Sequence, residues 1–158
     1  MDFSKIDSIN HSLNKKTKLA NEVIDSESLQ PKIACEAKDI LRICKILNSH
    51  PDYYFDFLNC ITAIDNGIER GTIDLFYTLT SIPFGNSLTL KTTIERTIGS
   101  EIDSISSVWA SADWHEREIF DFFGLKFSKH PDLRRILLPA DWEGFPLRKD
   151  YQEAANYH

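Results

Sequence analysis

Between Trp114 and Tyr151 the chain gathers the side chains from which an active site or a docking site could be built. Glu116, Glu118 and Asp121 supply carboxylates, His115 and His130 imidazoles, and Arg117, Arg134, Arg135, Arg148 and Lys149 cations. His115-Glu116 opens like a zinc-hydrolase helix, but Ile119 stands where the second histidine is needed. Ser128, His130 and Asp132 offer triad residue types, yet as sequence neighbours without a nucleophile elbow they make a poor triad. Glu116 and Glu118, two apart on a helix, point to different faces and form a weak acid–base pair. His130, just before Pro131, reads as a hydrogen-bonded loop anchor more than a proton carrier. None of the glycines builds a dinucleotide fingerprint or a P-loop, and no C-x-x-C occurs. Nicotinamide binding by the common route and a cluster with the usual ligand spacing are therefore not expected. The residues point to no catalytic, cofactor-binding or metal-ligating site in this chain.

These side chains must be positioned by a short helix and the segment after it. Asp113 reads as an N-cap with Glu116 as its capping-box partner, the helix running from Trp114 to about Phe123. Glu116, Ile119, Phe120 and Phe123 fall on one side, and Gly124 suits the left-handed residue that ends a helix. Asp113–Arg117 and Arg117–Asp121 have i,i+4 spacing for ion pairs. Glu116, nearer the apolar side, needs an arginine or main-chain donors, because an unpaired buried charge is costly.

From Leu125 onward no helical or strand period persists, and Pro131, Pro139 and Pro146 forbid long regular elements. Phe127, Leu133, Ile136, Leu137, Leu138, Trp142, Phe145, Leu147 and Tyr151 nevertheless make this arm too apolar for a free linker. Arg134, Arg135, Arg148 and Lys149 alternate with Asp132, Asp141, Glu143 and Asp150. Planar guanidiniums at such spacing favour carboxylate pairing at a protein interface over a simple fold-back, although the arm can do both. On this reading Arg134→Ala and Arg148→Ala weaken assembly far more than they destabilise the domain.

The remaining sequence predicts an α+β fold, one mostly antiparallel sheet backed by helices, over residues 1–124, with an extended partner-binding arm over 125–158. An amphipathic helix spans residues 3–16, short strands lie at 19–26 and 33–37 about a turn near Gln30-Pro31, and Ile40, Ile43, Cys44 and Leu47 mark a second helix ended by Pro51. Residues 55–64, apolar on both faces, read as an inner strand. Asp65-Asn66-Gly67 turns the chain into an alternating partner through Leu79, and Pro83 and Gly85 lead to a strand beginning at Leu88. A short helical piece over 95–103 and a strand over 105–109 complete the pattern. The net charge is −6, of which the segment 113–151, with seven basic and eight acidic residues, carries −1. That balance argues against nucleic-acid binding, and Lys15, Lys16 and Lys18 read as a solvated helix end. Cys35, Cys44 and Cys60 read as buried thiols of a reducing compartment. No apolar run reaches membrane-spanning length and no signal-peptide core opens the chain, so a soluble cytoplasmic protein is expected, meeting a membrane only through partners.

The segment's signature is Glu116-Arg117-Glu118, an acid at Asp121, Phe122-Phe123, then His130, Arg134 and Ile136-Leu137. It resembles the 30-kDa type of subunit, the C subunit, of respiratory NADH–quinone oxidoreductase (complex I). Arg135 fits the same pattern, and Glu143, Gly144, Pro146, Leu147, Arg148, Lys149 and Asp150 match the usual ending of that family's arm. Phe145 and Gln152 depart from it, standing where many members have His and Pro. The resemblance implies a non-catalytic structural subunit in the hydrophilic arm of a proton-translocating enzyme that passes electrons from NADH to a quinone. It implies contact with subunits D (the 49-kDa type), B and I, with FMN and the iron–sulfur clusters held in partner subunits. It also implies a peripheral place on the cytoplasmic face of the inner membrane. Glu116, Arg117, Glu118, Asp121, His130, Arg134, Arg135, Trp142, Arg148, Lys149 and Asp150 become interface and fold determinants in that light. The alternatives are the equivalent subunit of a membrane-bound hydrogenase or formate hydrogenlyase, which the complete WEGFPLRKDY ending disfavours, and a free-standing hydrolase using His115, Glu116 or His130.

Overall fold

Alternation in the sequence is what builds the sheet. In a computed structural model describing residues 3–17, 21–24 and 32–152, strand β4 (Thr72–Ser81) buries Ile73, Leu75, Tyr77 and Leu79 and leaves the residues between them half-buried. Its antiparallel neighbours are β3 (Phe57–Asp65) and β5 (Asn86–Glu95). β5 runs parallel to β2 (Lys32–Ala34), which pairs antiparallel with β1 (Glu22–Ile24), giving the order β1-β2-β5-β4-β3. The mostly antiparallel α+β expectation holds.

Helix α1 (Phe3–Thr17) buries Ile6, Ile9 and Leu13, and α2 (Ile40–Ser49) buries Ile40, Ile43, Cys44 and Leu47, entered through a 3-10 turn at Ala37–Asp39. Both join the sheet's inner face in one core, to which α3 (Ala112–Phe123) adds Ile119 and Phe123 as it packs on β3. The turn expected near Gln30-Pro31, the Lys18 end of α1, the side chains of Phe3 and Lys16, and residues 153–158 lie outside what the structure describes.

Four expectations are corrected. β3 is an edge strand, not an inner one. Its second apolar face is open, with Phe57 and Ile64 each 49% exposed. No helix forms over 95–103; a turn leads to β6 (Glu101–Asp103), which pairs parallel with β7 (Lys126–Ser128), so the arm begins with a strand. No strand forms over 105–109 either. The Ile105 N–H is taken by the Glu116 carboxylate and the Ser106 N–H by the Ser104 hydroxyl, so side chains displace a ladder there. Cys44 is buried, whereas Cys35 and Cys60 are half-buried; all three are free thiols.

Candidate functional site

Helix α3 carries the signature as far as Phe123, and its N-terminus is set differently from the capping-box expectation. The helix begins at Ala112 after Ser111, with no side-chain cap, and Glu116 reaches to Ser104 and Ile105 instead of its own N-terminus. Its far end is as expected: Gly124 adopts φ +71° and donates its N–H to the Phe120 carbonyl. Here a second constraint acts on the glycine, since a Cβ would stand 2.5 Å from the Phe145 ring of the returning arm.

Glu116 is fully buried. One carboxylate oxygen accepts the Ser104 hydroxyl at 2.6 Å and the other the Ile105 N–H at 2.7 Å. His130 Nε2 stands 3.8 Å away, too far for a strong hydrogen bond, and no arginine is paired with it among the described residues. Burial pushes the Glu116 carboxyl up to about 7, against the pull of the Ser104 hydroxyl and the Ile105 N–H. His130 is an anchor: Nδ1 accepts the Asp132 N–H at 3.0 Å, leaving Nε2 to donate to the Asp113 carbonyl at 3.2 Å. Ser128 turns elsewhere, to the Ile102 carbonyl and the Asp103 carboxylate, so the three triad residue types do not converge.

Asp121, also fully buried, organises the other end. Its Oδ2 accepts the N–H groups of Ile136, Leu137 and Leu138 at 3.1, 2.8 and 2.9 Å, and its Oδ1 accepts Arg135 at 2.7 Å. The expected Arg117–Asp121 pair is therefore absent. Arg117 instead donates to the Arg134 and Arg135 carbonyls and approaches Asp113 at 4.0 Å. Burial alone would raise the Asp121 carboxyl. The Leu138 N–H, the Arg135 guanidinium and the Leu137 and Ile136 N–H groups outweigh it and hold the carboxyl below its ordinary range.

The arm thus folds back over its own domain as far as residue 152. Arg135 also donates to the Trp142 and Gly144 carbonyls, both at 3.0 Å. Arg148 is 8% exposed and donates to the Phe123 and Arg96 carbonyls at 2.7 and 2.6 Å. Arg148 is thereby engaged by main-chain groups of its own domain. The Phe145 ring lies under both guanidiniums, 5.4 Å from Arg135 and 5.8 Å from Arg148. The last fastening uses two residues whose role is not visible in the sequence. Asp65 accepts Arg96 through both oxygens, at 2.6 and 2.8 Å, and also the Lys149 N–H at 2.7 Å. Arg96 extends to Asp150. The Arg96 guanidinium holds Asp65 far below the usual carboxylate range, despite burial and with help from the Lys149 and Gly67 N–H groups. Asp65 is legible only as a turn residue, and nothing local marks Arg96.

Glu118, Arg134 and Lys149 are exposed, and among the described residues Arg134 pairs only with Asp132, which is exposed too. Trp142 is half-buried, its main-chain N–H donating to the Pro139 carbonyl. Among the described residues no three His, Cys, Asp or Glu side chains converge as metal ligands, and no helix is long and apolar enough to cross a membrane. The arrangement fastens a chain segment to the helix and sheet.

Comparison with known proteins agrees with this architecture. The family described as respiratory-chain NADH dehydrogenase, 30 Kd subunit, matches residues 33–157. The NADH-quinone oxidoreductase C subunit of Chlorobium phaeobacteroides is 44% identical over 117 residues, 73% of this chain and 69% of that one. Its counterpart in Geobacter metallireducens is 38% identical over 139 residues, 86% of this chain and 84% of that one. Among solved structures, a chain of the membrane-bound sulfane sulfur reductase, an archaeal respiratory membrane complex, shares the fold. Its TM-score is 0.79 at 24% identity, over 94% of this chain and 86% of that chain.

Proposed function

This chain belongs to the 30-kDa subunit family of respiratory-chain NADH dehydrogenase, and from that membership we propose that it works as a structural subunit with no catalytic site of its own. It is a component of NADH–quinone oxidoreductase, an oxidoreductase assembled from several subunits. Its finer role is to set a rigid arm in the hydrophilic part of that enzyme, against subunits D, B and I, on the cytoplasmic face of the inner membrane. FMN, the iron–sulfur clusters and the quinone site then belong to those partners and their neighbours, and proton translocation to the whole.

The observation that carries this reading is where the signature's charges go. Arg117, Asp121 and Arg135 are taken up by main-chain groups of the arm and by one another, and Arg148, on the arm, by main-chain carbonyls of the domain. Charges so engaged are unavailable for proton or electron chemistry and well suited to holding a surface in one shape. Arg134, Glu118 and Leu137 remain exposed on that surface, and guanidiniums and apolar side chains of this kind suit contact with another protein.

The test is purification of the tagged chain from gently solubilised native membranes, with mass spectrometry and an NADH–quinone reductase assay on the eluate. Recovery of subunits B, D and I together with activity is the expected result. Hydrogenase subunits in their place would move the chain to the sister assembly, and a lone protein would contradict the proposal.

A further inference from the structure

Among the described residues β3 pairs only with β4, which leaves its outer edge without a neighbouring strand. The Asn66 N–H donates to the Thr72 carbonyl at 3.0 Å, which fixes the parity of the β3–β4 ladder. Bonded and unbonded pairs alternate in an antiparallel ladder. With Ile64 opposite Asp74 and Thr62 opposite Phe76, those two residues bond β4, and the N–H and C=O groups of Ile61 and Ala63 point outward. The far side of β4 agrees, for the Arg96 N–H donates to the Gly71 carbonyl at 2.9 Å and places Ile73 in a bonded pair with β5. Among the described residues no hydrogen bond reaches the outward groups of Ile61 or Ala63.

Open edges are ordinarily guarded by charge, proline or a bulge. β3 has one irregularity, between Leu58 and Cys60, and beyond it Ile61-Thr62-Ala63-Ile64 contains neither charge nor proline. Beside this stretch lies a cleft of about 120 Å³ walled by Ile61, Ala63, Ile119, Phe122 and Leu147. Leu147 is 53% exposed, and Glu118, on the rim, has no ion pair among the described residues.

We propose that this edge takes an extended segment of another subunit of the assembly as a sixth strand of the five-stranded sheet. The outward N–H and C=O groups require an extended backbone, and the cleft takes its alternate apolar side chains. Glu118 selects a lysine or arginine in that segment. A second copy of this chain is disfavoured, because it brings a protein of net charge −6 against the same carboxylate. The inference rests on the chain being a subunit of a larger enzyme.

Hydrogen–deuterium exchange at residue resolution tests it, on the full chain alone and within the purified native assembly. The Ile61 and Ala63 amides should exchange freely in the isolated chain and at least a hundredfold more slowly in the assembly, with Thr62 and Ile64 slow in both. Glu118→Lys should leave the thermal midpoint of the chain unchanged and cut its recovery with partners at least tenfold. Free exchange at Ile61 and Ala63 in an assembly that contains the chain overturns the added strand and leaves the subunit reading intact. Protection that arises in a dimer of the isolated chain also overturns it. A chain that enters no assembly removes the subunit reading itself.

Discussion

At the start of helix α3 the Glu116 carboxylate receives one hydroxyl and one main-chain N–H; toward the helix end the equally buried Asp121 receives three main-chain N–H groups and a guanidinium. Burial opposes ionisation at both. The donors decide the outcome: with a cation and three N–H groups the carboxylate stays charged, and with two neutral donors it is pushed up to about 7. The Asp121 region is thus an ionic clamp on residues 135–138. The Glu116 region is a brace that is neutral below about pH 7 and becomes costly as it ionises above that.

Removing the clamp should have the largest effect. Asp121→Ala leaves Arg135 and three main-chain N–H groups without their acceptor, a loss of about 3–5 kcal/mol by analogy with broken buried pairs. Urea unfolding of the purified chain measures it, and limited proteolysis should cut first between residues 133 and 150. A loss below about 1 kcal/mol would erase the contrast with Glu116. Because the Asp121 carboxyl is depressed, its contribution is present above the ordinary carboxylate pKa of about 4 and disappears as pH falls through its lower folded value.

Glu116 should behave with the opposite sign. Its folded pKa is raised from 4.5 to about 7, so native stability is full below the ordinary value and falls as pH rises through about 7. The whole effect is about 3 kcal/mol. Glu116→Gln should flatten the stability curve between pH 5 and pH 8 and be the more stable form at pH 8. Parallel curves for the two proteins would show that the brace is ionised throughout.

Where the clamp meets the returning arm, Gly124→Ala should cost about 2 kcal/mol, from a side chain at positive φ and from overlap with Phe145. Pairing it with Phe145→Ala should recover the overlap part in a double-mutant cycle; strict additivity would mean that the ring does not limit this site. Arg134→Ala, outside both regions, should change domain stability by less than about 0.5 kcal/mol, since its ion pair with Asp132 is exposed. Assembly should suffer more than stability, and a matching loss in both would place Arg134 among the fold-back contacts.

Much of this is legible in the sequence where the signal is local. The glycine that ends α3, the Asp65-Asn66-Gly67 turn, the alternating β4 and the Asp132 half of the His130 anchor each depend on neighbours in sequence. What escapes depends on distance. Glu116 satisfies the spacing of a capping box, yet the Ser104 loop offers it partners eleven and twelve residues away. Asp65, Arg96 and Lys149 meet across 31 and 84 residues, and no spacing rule connects them. Arg148, set among alternating charges, looks like a surface cation until the arm is seen to fold over it. The apolar faces of β3 suggest an inner strand because residue type reports a need for cover without saying whether this chain supplies it.

The most direct measurement replaces the native chain with Asp121→Asn in its own host and determines the amount of assembled enzyme and the NADH–quinone turnover per assembled enzyme. A chain that supplies shape and no chemistry predicts less assembly, with unchanged turnover in what does assemble. Full assembly with lost turnover would contradict that account and give this carboxylate a part in the reaction.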